Sequence, residues 1–318
     1  MPTPVFLTVD VEIVWRHHAH GLDRATLYER SFEPAGVGIS YQLALLNRHD
    51  LKATFFVCPM PALLYGLDPF RRIIDTIQCA GQRVQLHLHP NWAGAKVGDR
   101  GRAHSRFELI DYSLDEQRAL IAGARELLVA AGAASPMAFR AGSYGANGDT
   151  LTALAELGFT YDSSHNGSMQ PRPSAIDLPQ SQIAPVVHRG VVEVPVTLIE
   201  ERPGEYRNVQ ICALSATEMR ATLDHAVAQN HAAATIVNHG FELANRMGTR
   251  ANAVHVRRFE ELCMVLDERR DDLPTRHFGD LPTLAVDHHD APLAPSASRL
   301  RWRQAEQLWS NFVSERAA

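Results

Sequence analysis

The first group of side chains that could do chemistry is a pair of carboxylates near the start of the chain. The segment 8–12 reads Thr-Val-Asp-Val-Glu and ends an apolar run. Because successive side chains of a strand point to opposite faces, Asp10 and Glu12 share one face. In a parallel α/β protein, the carboxyl ends of the strands form the active-site face. The pair therefore indicates either catalytic or metal-binding carboxylates, or a solvated strand end.

Two histidines have the same arrangement after a later apolar run. The segment 87–92 reads His-Leu-His-Pro-Asn-Trp, so His87 and His89 share one face, and Pro90 ends the strand. Carboxylate oxygens together with imidazole nitrogens suit Zn²⁺ or a similar divalent ion. A catalytic site of this type uses about three protein ligands and leaves a position open for water. The two pairs together predict a metal centre.

Two basic residues also stand at the ends of apolar stretches. Arg140 lies in the segment Phe-Arg-Ala-Gly-Ser-Tyr-Gly at 139–145. A guanidinium buried there requires an anionic partner, either in a structural ion pair or as a catalytic carboxylate that the arginine orients. The glycine-rich turn after it lets backbone N–H groups approach a ligand. His239 follows the apolar run 235–238 and is either a proton donor to a leaving group or a structural histidine.

An alternation of strands and helices has to position these groups. Short apolar runs alternate with amphipathic stretches, which predicts an α/β fold with a parallel sheet covered by helices. About seven strands in 318 residues suit a (β/α) barrel better than a small open sheet. The strands are predicted at 5–9, 53–57, 84–88, 137–140, 161–163, 191–196 and 235–238. The helices are predicted at 36–48, 69–80, 114–131, 149–157, 216–229 and 254–270, with capping boxes at 113–116 and 215–218.

The composition argues against several classes of protein. A net charge of -5 disfavours a general nucleic-acid binder. The four cysteines form no CxxC pair, which disfavours a disulfide scaffold or a thiolate zinc site. The sequence shows no secretory leader pattern and no apolar run near the roughly 20 residues of a membrane span. A cytoplasmic protein without a transmembrane segment is therefore expected.

The chain is expected to divide into a catalytic domain, residues 1–290, and a tail, residues 291–318. The tail begins with a linker rich in Ala, Pro and Ser and continues as an amphipathic helix. That helix would pack on the domain or on a second copy, so a homo-oligomer through the tail is one expectation. The long insertion at 91–112 carries Arg100 and Arg102, which suit a phosphate but equally suit solvent.

The order of these motifs resembles the polysaccharide deacetylase family, the NodB-homology group of metal-dependent carbohydrate esterases. The resemblance runs from about Val5 to about Glu242. It implies a distorted (β/α) barrel, often with seven strands, and a hydrolase that removes N-acyl groups, usually N-acetyl, from amino sugars. The segments that carry it are 8–12, 53–57 (Ala-Thr-Phe-Phe-Val), 81–87, 140–144, 158–164 and the late histidine at 239.

The resemblance also implies a role for each candidate residue. Asp10 would be the general base, Arg140 would keep it ionised and oriented, and His239 would be the general acid. Glu12, His87 and a second histidine would bind the metal, which would polarise both the acyl oxygen and the attacking water. Zinc is the expected metal, with cobalt, nickel or manganese as alternatives.

The sequence departs from the family pattern in two places. The family's two adjacent aspartates are replaced by Asp-Val-Glu at 10–12, and the family's second histidine falls on Asn91. We predict that His89 substitutes for it as the third metal ligand, and Asp10 could itself be a ligand.

Three functions are compatible with these motifs. The leading one is removal of an acyl group from an amino sugar, for which a surface-polysaccharide precursor is a plausible substrate and Trp92 and Tyr144 are expected contacts. The second is hydrolysis of an amide that is not a sugar. The third is a catalytically inactive carbohydrate-binding barrel, which Asn91 keeps open. Metal analysis combined with an acyl-release assay would separate them.

Overall fold

A curled sheet forms the centre of the molecule in the computed structural model, which describes residues 2–98, 106–280, 284–313 and 315. The strands are β1 (Val5–Val11), β2 (Ala53–Val57), β3 (Arg83–Leu88), β4 (Ala138–Ala141), β5 (Tyr161–Asp162), β6 (Val186–His188), β7 (Val191–Glu193), β8 (Leu198–Arg202), β9 (Glu205–Asn208) and β10 (Ala234–His239). Eight of them form one sheet in the order β10-β1-β2-β3-β4-β5-β7-β6. Within it, β6 is antiparallel to β7 and the other pairs are parallel. Strands β8 and β9 form a separate hairpin.

Helices cover the outer face of the sheet. They are α1 (Trp15–Ala19), α2 (Arg24–Phe32), α3 (Ile39–Arg48), α4 (Ala62–Tyr65), α5 (Asp68–Cys79), α6 (Leu114–Ala130), α7 (Gly148–Glu156), α8 (Ala216–Ala228), α9 (Ala253–Glu268) and α10 (Ala297–Val313). The predicted capping boxes begin α6 and α8, at Ser113 and Ser215. In the part of the chain that the structure describes, none of these helices is long and apolar enough to cross a membrane. The cellular location stays a prediction.

Strand alternation gives β1 an apolar outer face and a chemically active inner face. The odd-numbered residues of β1 join the large core beneath the helices. Phe6 belongs to a separate inner cluster, where its ring lies 4.8 Å from that of Phe278. Thr8 and Asp10 follow Phe6 on the same face, since side chains alternate with a period of two. The barrel interior is therefore closed by aromatic rings at one end and polar at the other.

The sheet curls far enough for β1 and β4 to meet across its interior. Arg140 on β4 donates hydrogen bonds to Thr8 and Asp10 on β1, although β2 and β3 separate these strands in the sheet. After β7 the chain returns to β10, where the Thr197 backbone N–H donates to the Thr235 carbonyl at 3.1 Å. The result is a mostly parallel half-barrel with flanking helices. It confirms the predicted α/β fold, a distorted barrel of about seven parallel strands.

Helix α10 packs on the barrel through polar contacts. Arg303 is buried and pairs with Glu201 and Glu218, and the Asn252 side chain donates to Ser310. The opposite side of α10 exposes large apolar side chains, namely Trp302, Leu308, Trp309 and Phe312. The division at 290/291 and a homo-oligomer through this helix stay predictions.

Candidate metal centre and catalytic site

The ends of four parallel strands bring the candidate residues together. In the sheet register, Asp10 of β1 is level with His239 of β10, and His87 of β3 is level with Arg140 of β4. The remaining two candidates lie one residue beyond their strands, Glu12 after β1 and His89 after β3. All six therefore lie at the carboxyl edge of the sheet, where active sites of such folds are found.

Asp10 is buried against a fixed positive charge. Its Oδ1 accepts a hydrogen bond from Arg140 at 2.8 Å, and both side chains are almost completely buried. The guanidinium also donates to Thr8 at 2.8 Å and to the carbonyl and hydroxyl oxygens of Ser163 at 3.1 and 3.0 Å. It lies 4.5 Å from the centroid of the Phe56 ring. These contacts hold Arg140 in one orientation, so the arginine fixes Oδ1 of Asp10 and leaves Oδ2 for another partner.

Glu12, His87 and His89 converge on one point. One ligand atom from each residue lies within 4.8 Å of the other two. Glu12 Oε2 is 3.5 Å from His87 Nε2 and also contacts His89 Nε2. The two imidazole centroids are 4.8 Å apart, with the rings almost perpendicular. One carboxylate oxygen and two imidazole nitrogens make a three-ligand set of the kind found in catalytic zinc sites.

Hydrogen bonding prepares His87 to act as a ligand. Its Nδ1 lies 2.8 Å from the carbonyl oxygen of Arg140. Since a carbonyl can only accept, Nδ1 carries the proton and Nε2 keeps a free lone pair. A backbone carbonyl behind Nδ1 is the arrangement that commonly orients metal-binding histidines. The donor set therefore fits a divalent ion.

Electrostatics favours the charge state of Glu12 that a metal requires. Burial would raise the pKa of Glu12, but the charge and the hydrogen bond of His89, together with the neighbouring His87 ring, outweigh it and hold the pKa well below the ordinary value. Burial would lower the pKa of His89, whereas the Glu12 carboxylate raises it. Glu12 is therefore ionised at neutral pH.

A close approach of the backbone fixes the position of His89. A Cβ added at Gly142 would lie 2.4 Å from Nδ1 of His89. The His89 ring therefore occupies the space that the Cβ of any residue other than glycine would need at position 142. Asn91 lies in the short 3-10 turn that follows, where it is 2% exposed. Its Oδ1 has no hydrogen-bond partner among the described residues. The structure thus brings His89, rather than Asn91, next to Glu12 and His87.

His239 is paired with a carboxylate to which the sequence analysis assigns no role. Nδ1 of His239 lies 2.7 Å from Oε2 of Glu242, and Nε2 lies 4.0 Å from Oδ2 of Asp10. The Gln210 side chain donates to the same Glu242 oxygen at 2.8 Å. Burial would lower the pKa of His239, but the hydrogen bond and charge of Glu242, with the charge of Asp10, raise it to about 9. His239 is therefore protonated at neutral pH and can donate a proton.

The two predicted substrate contacts lie in different surroundings. Tyr144 and Ser143 have φ values of 58° and 52° in the turn after β4, a conformation that is uncommon for non-glycine residues. The Tyr144 hydroxyl is buried and has no hydrogen-bond partner within the described ranges. Trp92 is 2% exposed and packs edge-on against Trp15, with centroids 4.8 Å apart. Both substrate roles stay predictions.

The two arginines of the insertion at 91–112 that suit a phosphate cannot be placed relative to this site. Arg100 and Arg102 lie outside the described residues.

Comparison with known proteins gives matches among solved structures. No family model and no curated protein matches the chain. A protein from Mycobacterium smegmatis, assigned as a polysaccharide deacetylase, is 20% identical, with a TM-score of 0.55 over 96% of this chain and 91% of that one. The chain has the polysaccharide deacetylase fold. This confirms, at the level of the fold, the family that the motifs predict.

Comparison with solved structures also gives weaker matches. A family 4 carbohydrate esterase from Streptomyces lividans, in complex with acetate, is 13% identical with a TM-score of 0.44, covering 92% of this chain and 98% of that one. A 4-alpha-glucanotransferase from Thermococcus litoralis is 10% identical with a TM-score of 0.50, covering 87% of this chain and 38% of that one. Because enzymes of different chemistry share similar barrels, the reaction has to be argued from the site.

Proposed function

We propose that this protein is a metal-dependent hydrolase that removes an N-acyl group, in the simplest case N-acetyl, from an amino sugar. The observation that carries the proposal is that two groups of residues lie at the same edge of the sheet. Glu12, His87 and His89 cluster at the ends of β1 and β3, and Asp10 and His239 form an acid–base pair, 4.0 Å apart, at the ends of β1 and β10. The charge of Glu12 also raises the pKa of His239. A barrel that only bound carbohydrate would need neither a metal cluster nor a buried acid–base pair.

Glu12, His87 and His89 would hold the metal. Mixed imidazole and carboxylate ligands favour Zn²⁺. A bound ion would polarise the acyl carbonyl and lower the pKa of a water molecule at the open position. The buried Glu12 carboxylate, ionised by its histidine neighbours, supplies negative charge to the site.

Asp10 would remove a proton from the attacking water. Arg140 occupies Oδ1, so Oδ2 is the oxygen that accepts. The ion pair holds the carboxylate in one orientation, in which it can act as a general base.

His239 would protonate the nitrogen that leaves. Glu242 holds Nδ1–H, which directs Nε2–H towards Asp10 and the reacting centre. An amine is a poor leaving group unless it is protonated, so the raised pKa of His239 matches this task. Glu242 is a positioning residue, since it acts through His239.

We further propose that the substrate is an intracellular precursor of a surface polysaccharide. The deacetylase fold supports a carbohydrate substrate. The proposal also places the protein in the cytoplasm, as the sequence predicts.

The proposal is tested by replacing Asp10 with asparagine, which keeps the size of the side chain. We expect Asp10→Asn to bind the metal in the same stoichiometry as the original protein and to lose about 10²–10⁴-fold in kcat for acetate release from acetylated amino sugars. Asp75→Asn, on the exposed surface of α5, is the matched control and should retain full activity. His239→Gln should likewise keep the metal stoichiometry and lose kcat. Unchanged turnover in Asp10→Asn would contradict its role as base.

A further inference from the structure

A cavity of about 650 Å³ lies between α10 and the barrel, next to the proposed general acid. Phe241 and Glu242 line it on the barrel side, and Glu242 is the residue that holds His239. Gln304, Gln307 and Asn311 of α10 line the opposite side. The described residues that line it do not include the metal ligands or Asp10, so the cavity adjoins the catalytic site without being part of it.

The cavity carries an excess of positive charge. Its described lining contains five arginines and three glutamates. The glutamates are already engaged: Glu201 with Arg207 and Arg303, Glu242 with His239, and Glu315 with a backbone N–H. Positive charge in excess of its anionic partners, in a cleft with low-dielectric walls, attracts an anion.

Two buried histidines add hydrogen-bond acceptors to the same cavity. His17 is 1% exposed and donates to the Arg30 carbonyl, while its Nδ1 has no partner in the part of the chain that the structure describes. His255 is 7% exposed; its Nδ1 donates to the Glu242 carbonyl at 2.9 Å, and Nε2 is without a partner among the same residues. In each ring the free nitrogen keeps a lone pair, because the other nitrogen carries the proton.

Burial keeps both rings neutral. It lowers the pKa of His17 to about 4, together with the charges of Arg30 and Arg16, and it also lowers the pKa of His255. Neutral acceptors buried without partners cost free energy unless a ligand supplies donors. The hydroxyl groups of a ligand are suitable donors. The amide side chains of α10 also commonly form hydrogen bonds with hydroxyl groups.

We propose that this cavity binds the anionic part of a sugar, with a carboxylate or phosphate held by the arginines and neighbouring hydroxyls donating to His17 and His255. The inference rests on the proposed function, in which this sugar is the substrate or the unit attached to it. The cavity would then select acylated sugars that carry a negative charge close to the acylated residue.

The test uses sugars without an acyl group, so that binding is measured separately from turnover. Calorimetric titrations of the full-length protein with glucose 1-phosphate, glucuronic acid and glucose distinguish phosphate, carboxylate and neutral ligands. We expect at least one charged sugar to bind at least tenfold more tightly than glucose. The tighter of the two charged sugars identifies the anion.

Two variants locate that binding in the cavity. Arg30→Gln should weaken binding of the charged sugar at least fivefold. Arg72 is an exposed arginine on α5, and Arg72→Gln should leave the affinity unchanged. Gln307→Trp fills the cavity from α10 and should abolish binding. Equal affinity for glucose and both charged sugars, or full affinity in both Arg30→Gln and Gln307→Trp, would overturn the inference.

The same experiment separates failure of the inference from failure of the proposed function. Charged sugars that bind as expected, in a metal-loaded protein that releases no acyl group, would refute the hydrolase and leave the binding site standing. Acyl release with no preference for charged sugars would refute the cavity inference alone.

Discussion

The most specific prediction concerns Gly142, because substituting it changes the position of a proposed metal ligand, His89, without removing it. A Cβ at Gly142 would lie 2.4 Å from Nδ1 and 2.5 Å from Cε1 and Cγ of His89, whereas ordinary contact begins at 3.4 Å. Gly142→Ala must therefore move the His89 ring by about 1.0 Å, the difference between 3.4 and 2.4 Å. Metal–nitrogen bonds tolerate only about 0.2 Å. His89 cannot keep its place in an intact cluster after this change.

The expected loss of metal affinity follows from that displacement. Disturbing the residues that support metal ligands typically costs about 10–100-fold in affinity, which corresponds to about 1.4–2.8 kcal/mol. The assay is a competition titration of purified protein against a chromogenic chelator, with zinc as the metal. His89→Ala should lose at least as much affinity as Gly142→Ala.

A matched glycine controls for the added methyl group. Gly123 lies in α6 with nothing within 4 Å of an added Cβ, so Gly123→Ala should leave metal affinity unchanged and raise stability by about 0.5–1 kcal/mol. Melting curves of the metal-free proteins show whether Gly142→Ala remains folded. Affinity within twofold of the original in a folded Gly142→Ala would refute the assignment of His89 as a ligand.

Three further outcomes follow from the same geometry. Glu242→Gln removes the charge that raises the pKa of His239, so the loss of kcat that begins near pH 9 as His239 loses its proton should move to lower pH in a pH–rate profile. Tyr144→Phe should leave metal content unchanged and raise KM or lower kcat for the acylated sugar, because the buried hydroxyl is predicted to contact the substrate. Kinetics identical to those of the original protein would remove that role. Ser113→Ala, at the N-cap of α6, should cost about 1 kcal/mol in chemical denaturation without affecting metal binding.

Local rules were sufficient to predict that Glu12, His87 and His89 lie close together. Strand alternation places Asp10 and Glu12 on one side of the first strand, and His87 and His89 on one side of the third, and parallel strands bring their carboxyl ends together. The seven predicted strands all occur, and the largest difference is at 191–196, where β7 ends at Glu193. Buried strands are recognisable because most of their side chains are apolar.

The partners of His239 depend on tertiary structure that the sequence pattern does not specify. Glu242 reaches His239 through a turn after β10, and Gln210 arrives from the segment after β9. The β8–β9 hairpin itself carries Glu200, Glu201 and Arg202, so it lacks the apolar run that marks a strand. A carboxylate three residues after a strand-end histidine was the signal that could have indicated Glu242.

The cavity beside α10 depends on contacts between distant segments. Residues from α1, the turn after β10, α9 and α10 meet there, and each looks like an ordinary surface residue in the sequence. His17 is buried because α2 covers it, and the Arg30 carbonyl accepts a hydrogen bond from its ring. Burial of this kind follows from helix packing rather than from local sequence.

The central claim is metal-dependent removal of an acyl group, and one measurement tests it most directly. Acetate and formate release is followed from a panel of N-acylated amino sugars, with the protein first stripped of metal and then reloaded with one equivalent of zinc. We predict that release is absent from the stripped protein and restored by zinc. Full metal occupancy without release from any sugar in the panel, or release that persists in the metal-free protein, would contradict the account.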